Sequence, residues 1–331
     1  MSGGGVFLRR NELPAGPRCF SPMAEEEGAF PGFEAISIDS GRGSVFLRRG
    51  GAGPPVLLLH GFPETGLMWH AVAPLLAEAF TVVVADLPGY GRSSCPRDSD
   101  RHAMSKRALA ATLTDAMRIA GHERFAVVGH DRGGRVAYRA ALDHPGVISH
   151  VAVLDMVPTY EVWDHADARL ALAFWPFSLL AQPAPLPERL LAAAPDAVVD
   201  NAIAEWGSSP DAFPGWLREA YVDALRDPAR VHAICEEYRA AAGTDREIDR
   251  ADLGAGRRIT CPLLALWSDR GGLARWYDDA GGPLGLWRRW ADDVRGQSVS
   301  GGHFFPEEYP AATAERIRAF LESGGSRQKQ A

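Results

Sequence analysis

The sequence predicts an α/β fold built on a mostly parallel central sheet. Short, continuously apolar runs recur along the chain, and helical segments lie between them. The alternation then stops between about residues 158 and 252. That stretch is rich in Ala, Leu and Trp, helical in period, and broken by Pro176, Pro183, Pro185, Pro187 and Pro210.

In chain order, residues 1–30 lack hydrophobic periodicity, carry the run Glu25-Glu26-Glu27 and contain a second methionine, Met23. They are expected to form a flexible N-terminal extension, with Met23 an alternative start. The pentapeptide at 6–10 recurs at 45–49, and two copies are read as coincidence rather than a repeat architecture. Strands are predicted at 44–47, 55–59, 80–85, 125–128, 147–154, 262–267 and 294–299. Several of these are β-branched and apolar throughout, as strands covered on both faces must be. Helices are predicted at 67–79, 106–120, 134–142 and 312–321. The core is thus assigned to 31–157 and 253–325. The strand-free stretch 158–252 is read as a helical lid, inserted after the strand ending near Leu154. An insertion at the carboxyl end of a parallel strand overhangs the crevice where ligands bind.

Composition narrows the function. With 331 residues and a net charge of −7, the chain has an acidic field that argues against nucleic acid as a partner. The four cysteines, Cys19, Cys95, Cys235 and Cys261, show no metal-ligand spacing and read as reduced thiols. No apolar run is long enough to span a bilayer, and the N-terminus lacks a signal peptide's apolar core, so a cytoplasmic location is expected.

The most informative segment is Gly129-His130-Asp131-Arg132-Gly133-Gly134-Arg135, which follows a buried strand and opens a helix. Strand, Gly-x-Asp-x-Gly, helix is the pattern of a nucleophile elbow with Asp131 at the position usually held by serine. Glycines 129 and 133 permit the sharp turn. The helix N-terminus favours the negative charge there. Helix capping alone would also explain an aspartate, but partners occur where such a fold needs them. The loop His60-Gly61-Phe62-Pro63 follows a strand, so the backbone N–H groups of Phe62 and Arg132 are expected to form an oxyanion hole. Of ten histidines, only His303, in Ser300-Gly301-Gly302-His303, follows the last strand and stands in the chain order of a general base. Asp155 and Asp269 each follow a strand, and pattern alone leaves either able to orient His303.

From about residue 33 to 320 the chain resembles the α/β-hydrolase family, and within it the fluoroacetate (haloacetate) dehalogenases. The matching segments include 60–65, 85–93, 129–135, 154–160, 181–188, 235–239 and 302–308. The first two are common to many α/β hydrolases; the elbow with both arginines and the lid segments are more specific. The resemblance implies that Asp155, after the strand preceding the lid, is the third acid. It also implies a homodimer. No phosphate-cradling Gly-rich loop occurs and the chemistry needs only water, so no cofactor is expected.

Aspartate in place of serine suits displacement at a saturated carbon through an alkyl-enzyme ester, which water activated by His303 then hydrolyses. Arg132 and Arg135 lie three apart on the first helical turn, and each planar fork matches a carboxylate. The expected substrate is therefore a small anionic 2-haloacid, and the expected reaction is haloacetate to glycolate plus halide. Trp206 and Tyr238 match lid residues that line the family's halide pocket. The relatives' His-Trp pair before Ala181-Gln182-Pro183 is replaced by Pro176 and Phe177. Losing two donors for a strongly hydrated fluoride predicts that chloro- or bromoacetate is preferred. An epoxide hydrolase, the main rival, needs two lid tyrosines, and 177–180 offers none beside Tyr238. A non-catalytic binding protein is disfavoured because a complete set of acid, base and nucleophile is present.

Overall fold

Apolar strands covered on both faces require helices on each side of a sheet, and the computed structural model has that arrangement. It describes residues 28–96 and 100–323. The strands are β1 (Glu34–Asp39), β2 (Ser44–Gly50), β3 (Pro55–Leu59), β4 (Thr81–Ala85), β5 (Phe125–His130), β6 (Ile148–Leu154), β7 (Leu263–Ser268) and β8 (Val294–Val299). They form one eight-stranded sheet in the order β1-β2-β4-β3-β5-β6-β7-β8. The pairs β1–β2 and β2–β4 are antiparallel and the rest parallel. The chain reverses its direction across the sheet around β3 and β5, which places their carboxyl-end loops beside one crevice.

Strand β1 was not expected. Its exposure alternates at the sheet edge, and only Ile38 is fully buried, so it carries no apolar run. The helix expected at 67–79 is two short pieces, Gly66–Trp69 and Ala73–Ala77. Pro74 sits in the first turn of the second piece, where proline is tolerated because no helical N–H is required. Residues 1–27 of the expected extension lie outside the described residues. Its last residue, Phe30, belongs to the core: it is buried, packs edge-on against Phe33 at 5.6 Å and lies beneath the Arg48 guanidinium.

Between β6 and β7 the chain is helical from Thr159 to Gly254, with turns but no strand. Among the described residues no helix is long and apolar enough to cross a membrane.

Candidate active site

β5 is buried along its whole length and delivers Asp131 to the first position of the helix Asp131–Asp143. The turn is so tight that Asp131 has φ 41°, in the left-handed region. Side chains are excluded around it. A Cβ on Gly129 would collide with the backbone of Gly133 and Gly134, and one on Gly133 would stand 2.5 Å from the His60 carbonyl oxygen. The Gly133 N–H donates to that same oxygen at 2.8 Å, tying the elbow to the loop after β3. From that loop the Phe62 N–H points at Asp131 Oδ2, 3.3 Å away.

Asp155 ends β6 in the same strained conformation, φ 49°. Its Oδ2 lies 2.6 Å from His303 Nδ1, while its Oδ1 accepts the Ser268 N–H at 2.8 Å. Asp269 is exposed, and among the described residues its side chain receives only the Gly301 N–H, at 3.3 Å. Asp155 is therefore the acid that meets His303. The His303 N–H donates to the Trp206 carbonyl at 2.8 Å, which joins this loop to the helical segment. The ring packs against Trp206 at 5.4 Å and Phe174 at 5.5 Å, and its Nε2 is buried with no partner among the described residues.

Asp131, Asp155, His303 and Arg135 line one cavity of about 20 Å³. That is room for one or two waters at about 10–15 Å³ each. Its walls are apolar and aromatic, including Val162, Leu170, Phe174, Phe177 and Trp276. A roomier depression, about 690 Å³, lies at the opposite, amino-terminal ends of the strands and holds none of these groups. Burial by itself raises the Asp131 carboxyl. The charges of His303, Arg132, Arg135 and His130 outweigh it and hold the group below the ordinary carboxylate value.

The two arginines are both buried beside the nucleophile, but their forks are not both free. Glu237, on the helix Pro228–Ala240, takes Arg132 Nε at 2.7 Å and Nη2 at 2.7 Å. This corrects the expectation that each fork is open to a substrate: a guanidinium buried this deeply requires a buried carboxylate. Arg132 retains Nη1, which has no partner among the described residues. Arg135 gives Nη1 to the Val157 carbonyl at 3.1 Å and Thr159 Oγ1 at 3.2 Å, and its Nε has no partner among the described residues. Tyr238 lies flat under Arg132, with the guanidinium carbon 3.9 Å from its ring centroid. Phe177 faces both arginines, at 5.1 Å from Arg135 and 5.7 Å from Arg132. Of the four residues expected around the halide, Phe177 lines the cavity, while Pro176, Trp206 and Tyr238 are buried behind its wall. The Trp206 indole N–H is buried without a partner among the described residues.

Sequence reasoning missed Glu237 as the counter-ion, although it adjoins Tyr238. It also missed Leu273, Trp276 and Tyr277, which follow β7 and complete the cavity wall, Trp276 packing edge-on against Phe174 at 5.5 Å. Burial raises the Tyr277 hydroxyl to about 12.

A family model described as the alpha/beta hydrolase fold matches residues 54–277. This chain belongs to the α/β-hydrolase family. Among its relatives, a fluoroacetate dehalogenase from Burkholderia sp is 42% identical over 299 residues, covering 90% of this chain and 96% of that protein. A soluble epoxide hydrolase from Corynebacterium sp. (strain C12) is 29% identical over 285 residues, covering 82% and 91%. A solved structure of a Pseudomonas aeruginosa protein proposed to be an epoxide hydrolase superposes with TM-score 0.84. It is 42% identical and covers 89% of this chain and 97% of that one. The resemblance to fluoroacetate dehalogenases thus extends along nearly the whole α/β hydrolase.

Proposed function

We propose that this α/β hydrolase removes halide from short 2-haloacids, with Asp131 as nucleophile, His303 as general base and Asp155 as its orienting acid. The observation that carries this reading is a buried carboxylate at the elbow flanked by two buried guanidiniums, each with an unspent N–H. A substrate carboxylate bridging Arg132 Nη1 and Arg135 would present its α-carbon to Asp131. The Asp131 oxygen forms a bond to that carbon as the carbon–halogen bond breaks, and the halide leaves with the electron pair. Water then attacks the ester carbonyl while His303 Nε2 takes its proton. The Phe62 and Arg132 N–H groups receive the developing oxyanion, and collapse returns the Asp131 carboxylate and releases the 2-hydroxy acid. Haloacetate plus water becomes glycolate, halide and a proton. The segment Thr159–Gly254 serves as the lid that keeps bulk water from this site.

The halide is received by Tyr238 and the unpartnered indole N–H of Trp206, with Phe177 as the apolar wall. Fluoride is small and strongly hydrated, so an aromatic wall without a donor disfavours its release relative to chloride or bromide. The fluoroacetate dehalogenase relative supports the reaction class, and Phe177 supports a different halogen order.

Epoxide opening is the second reading, favoured by the epoxide hydrolase relative and by Tyr277 in the cavity wall. A panel of fluoro-, chloro- and bromoacetate, 2-chloropropionate and styrene oxide separates the two. Halide release lost in Asp131→Asn, with styrene oxide untouched, supports dehalogenation. Diol formation without halide release refutes it.

A further inference from the structure

Behind the nucleophile lies a buried polar chain that the reaction above does not use. It runs Tyr221–Glu307–Glu64–His130 and ends on the carbonyl of His303. Tyr221, on the helix Gly215–Ala224, donates to Glu307 Oε1 at 2.7 Å. Glu64 Oε2 accepts the Gly61 N–H at 2.9 Å and lies 2.9 Å from His130 Nδ1. His130 Nε2 lies 2.9 Å from the His303 carbonyl oxygen. All four side chains are buried.

Proton bookkeeping assigns the charges. His60 faces one acceptor, the Gly61 carbonyl at 2.8 Å, and one donor, the Leu87 N–H at 3.0 Å, so a neutral ring satisfies both. His130 faces a carboxylate and a carbonyl. Both are acceptors, so a neutral ring would turn a lone pair on one of them. With Glu64 ionised, as the charges around it favour, only the doubly protonated ring satisfies both contacts. The oxygens Glu64 Oε1 and Glu307 Oε2 are each buried without another partner among the described residues. The Glu64 and Glu307 carboxyl groups lie close enough to act on each other's charge, and a proton held by Glu307 supplies a donor that these bare oxygens lack.

We propose that His130 is a positioning residue that remains an imidazolium. It clamps the His303 loop to the nucleophile strand and sets a fixed positive charge behind Asp131, with Glu64 anionic and Glu307 protonated as its support. The catalytic consequence rests on the reading of Asp131 and His303 given above; the charge assignment does not. The titratable groups facing His130 are Asp131, the next residue in the chain, Glu64 and His60 from the loop after β3, and His303 from the loop after β8, with Glu307 and then Tyr221 behind Glu64. Burial opposes the charge, but the Glu64 carboxylate, with Asp131 and the His303 carbonyl, raises the imidazole to about 9. Glu307 is raised well above the usual carboxyl value, by burial and then by the Glu64 charge.

The test is the ring nitrogen spectrum of the full chain labelled with 15N-histidine, with His130 assigned by its loss in His130→Gln. Both His130 nitrogens should keep imidazolium shifts at about pH 8, where an ordinary histidine is neutral. A neutral pattern at that pH overturns the proposal. In Glu64→Gln the ring should become neutral. The acid limb of kcat/KM for chloroacetate should move to higher pH, with activity near pH 6 falling by about 10-fold relative to wild type. An unmoved limb in a folded Glu64→Gln protein overturns the catalytic consequence. The wild-type spectrum decides the charge even if the variant does not fold. If no haloacid releases halide, the reaction assignment fails while the spectrum still decides the charge.

Discussion

Replacing Asp155 by asparagine exchanges one acceptor for a donor and leaves the volume nearly unchanged. In the native site one Asp155 oxygen lies 2.6 Å from His303 Nδ1 and the other accepts the Ser268 N–H at 2.8 Å. An asparagine has one acceptor for these two donors. If its oxygen keeps Ser268, its NH2 faces Nδ1 and drives the proton to Nε2, the atom needed to receive a proton from water. If its oxygen keeps His303, a buried backbone N–H meets an NH2 group instead. The imidazolium formed during hydrolysis also loses its counter-charge. The equivalent change in a serine-type triad costs about 10⁴-fold in turnover, or about 5 kcal/mol of transition-state stabilisation. Here the loss should fall on ester hydrolysis and spare the displacement by Asp131. Rapid mixing with chloroacetate should give a halide burst of one equivalent per site followed by slow turnover. Intact mass should show one carboxymethyl group retained on the protein. Turnover within about 10-fold of wild type, with no burst, would refute the assignment of Asp155.

Other outcomes follow from the same geometry. Phe177→Trp places an indole donor over the two arginines and should raise the fluoroacetate-to-chloroacetate ratio of kcat/KM by about 10-fold, the worth of one hydrogen bond to a charged group; an unchanged ratio would remove Phe177 from the halide pocket. Gly61→Ala puts a Cβ 2.8 Å from the Asp131 Cβ and 3.0 Å from His130 Nδ1. It should cost about 1–3 kcal/mol of stability by overpacking, read as a lower denaturant midpoint, with activity lost alongside. His130 links stability to pH. Its folded value is raised from 6.5 to about 9, so its contribution is complete below 6.5 and is lost as pH rises through 9. Calorimetry across that window should show wild-type Tm falling more steeply than that of His130→Gln, and parallel curves would contradict this.

Much of this architecture is legible in the sequence, because two-sided burial writes itself as apolar runs. Strands β2 to β7 each leave such a run; β1 and β8, at the two edges of the sheet, do not. The elbow is legible because a tight turn demands glycine at 129 and 133. The charge partners are not. Arg132 and Glu237 stand 105 residues apart, and Glu64 and His130 stand 66 apart. A buried ion pair leaves no periodicity, so the arginine forks were expected to be open. The choice between Asp155 and Asp269 turned on which acid reaches a ring across the strand ends, which pattern alone leaves undecided. Trp276 and Tyr277 stand where two short helical pieces meet after β7, Leu273–Trp276 and Asp278–Ala280, too brief to leave a periodicity.

The left-handed backbone at Asp131 and Asp155 has a consequence for how this protein tolerates change. A conformation that costs an ordinary L-residue about 1–2 kcal/mol is held at both acids, where glycine or asparagine would rest more easily. Relaxed of any demand for turnover, the chain would gain thermal robustness from glycine or asparagine at 131, whereas the Asp155 carboxylate also holds the buried Ser268 N–H. Durability and reactivity therefore pull against each other at the elbow and pull together at the end of β6.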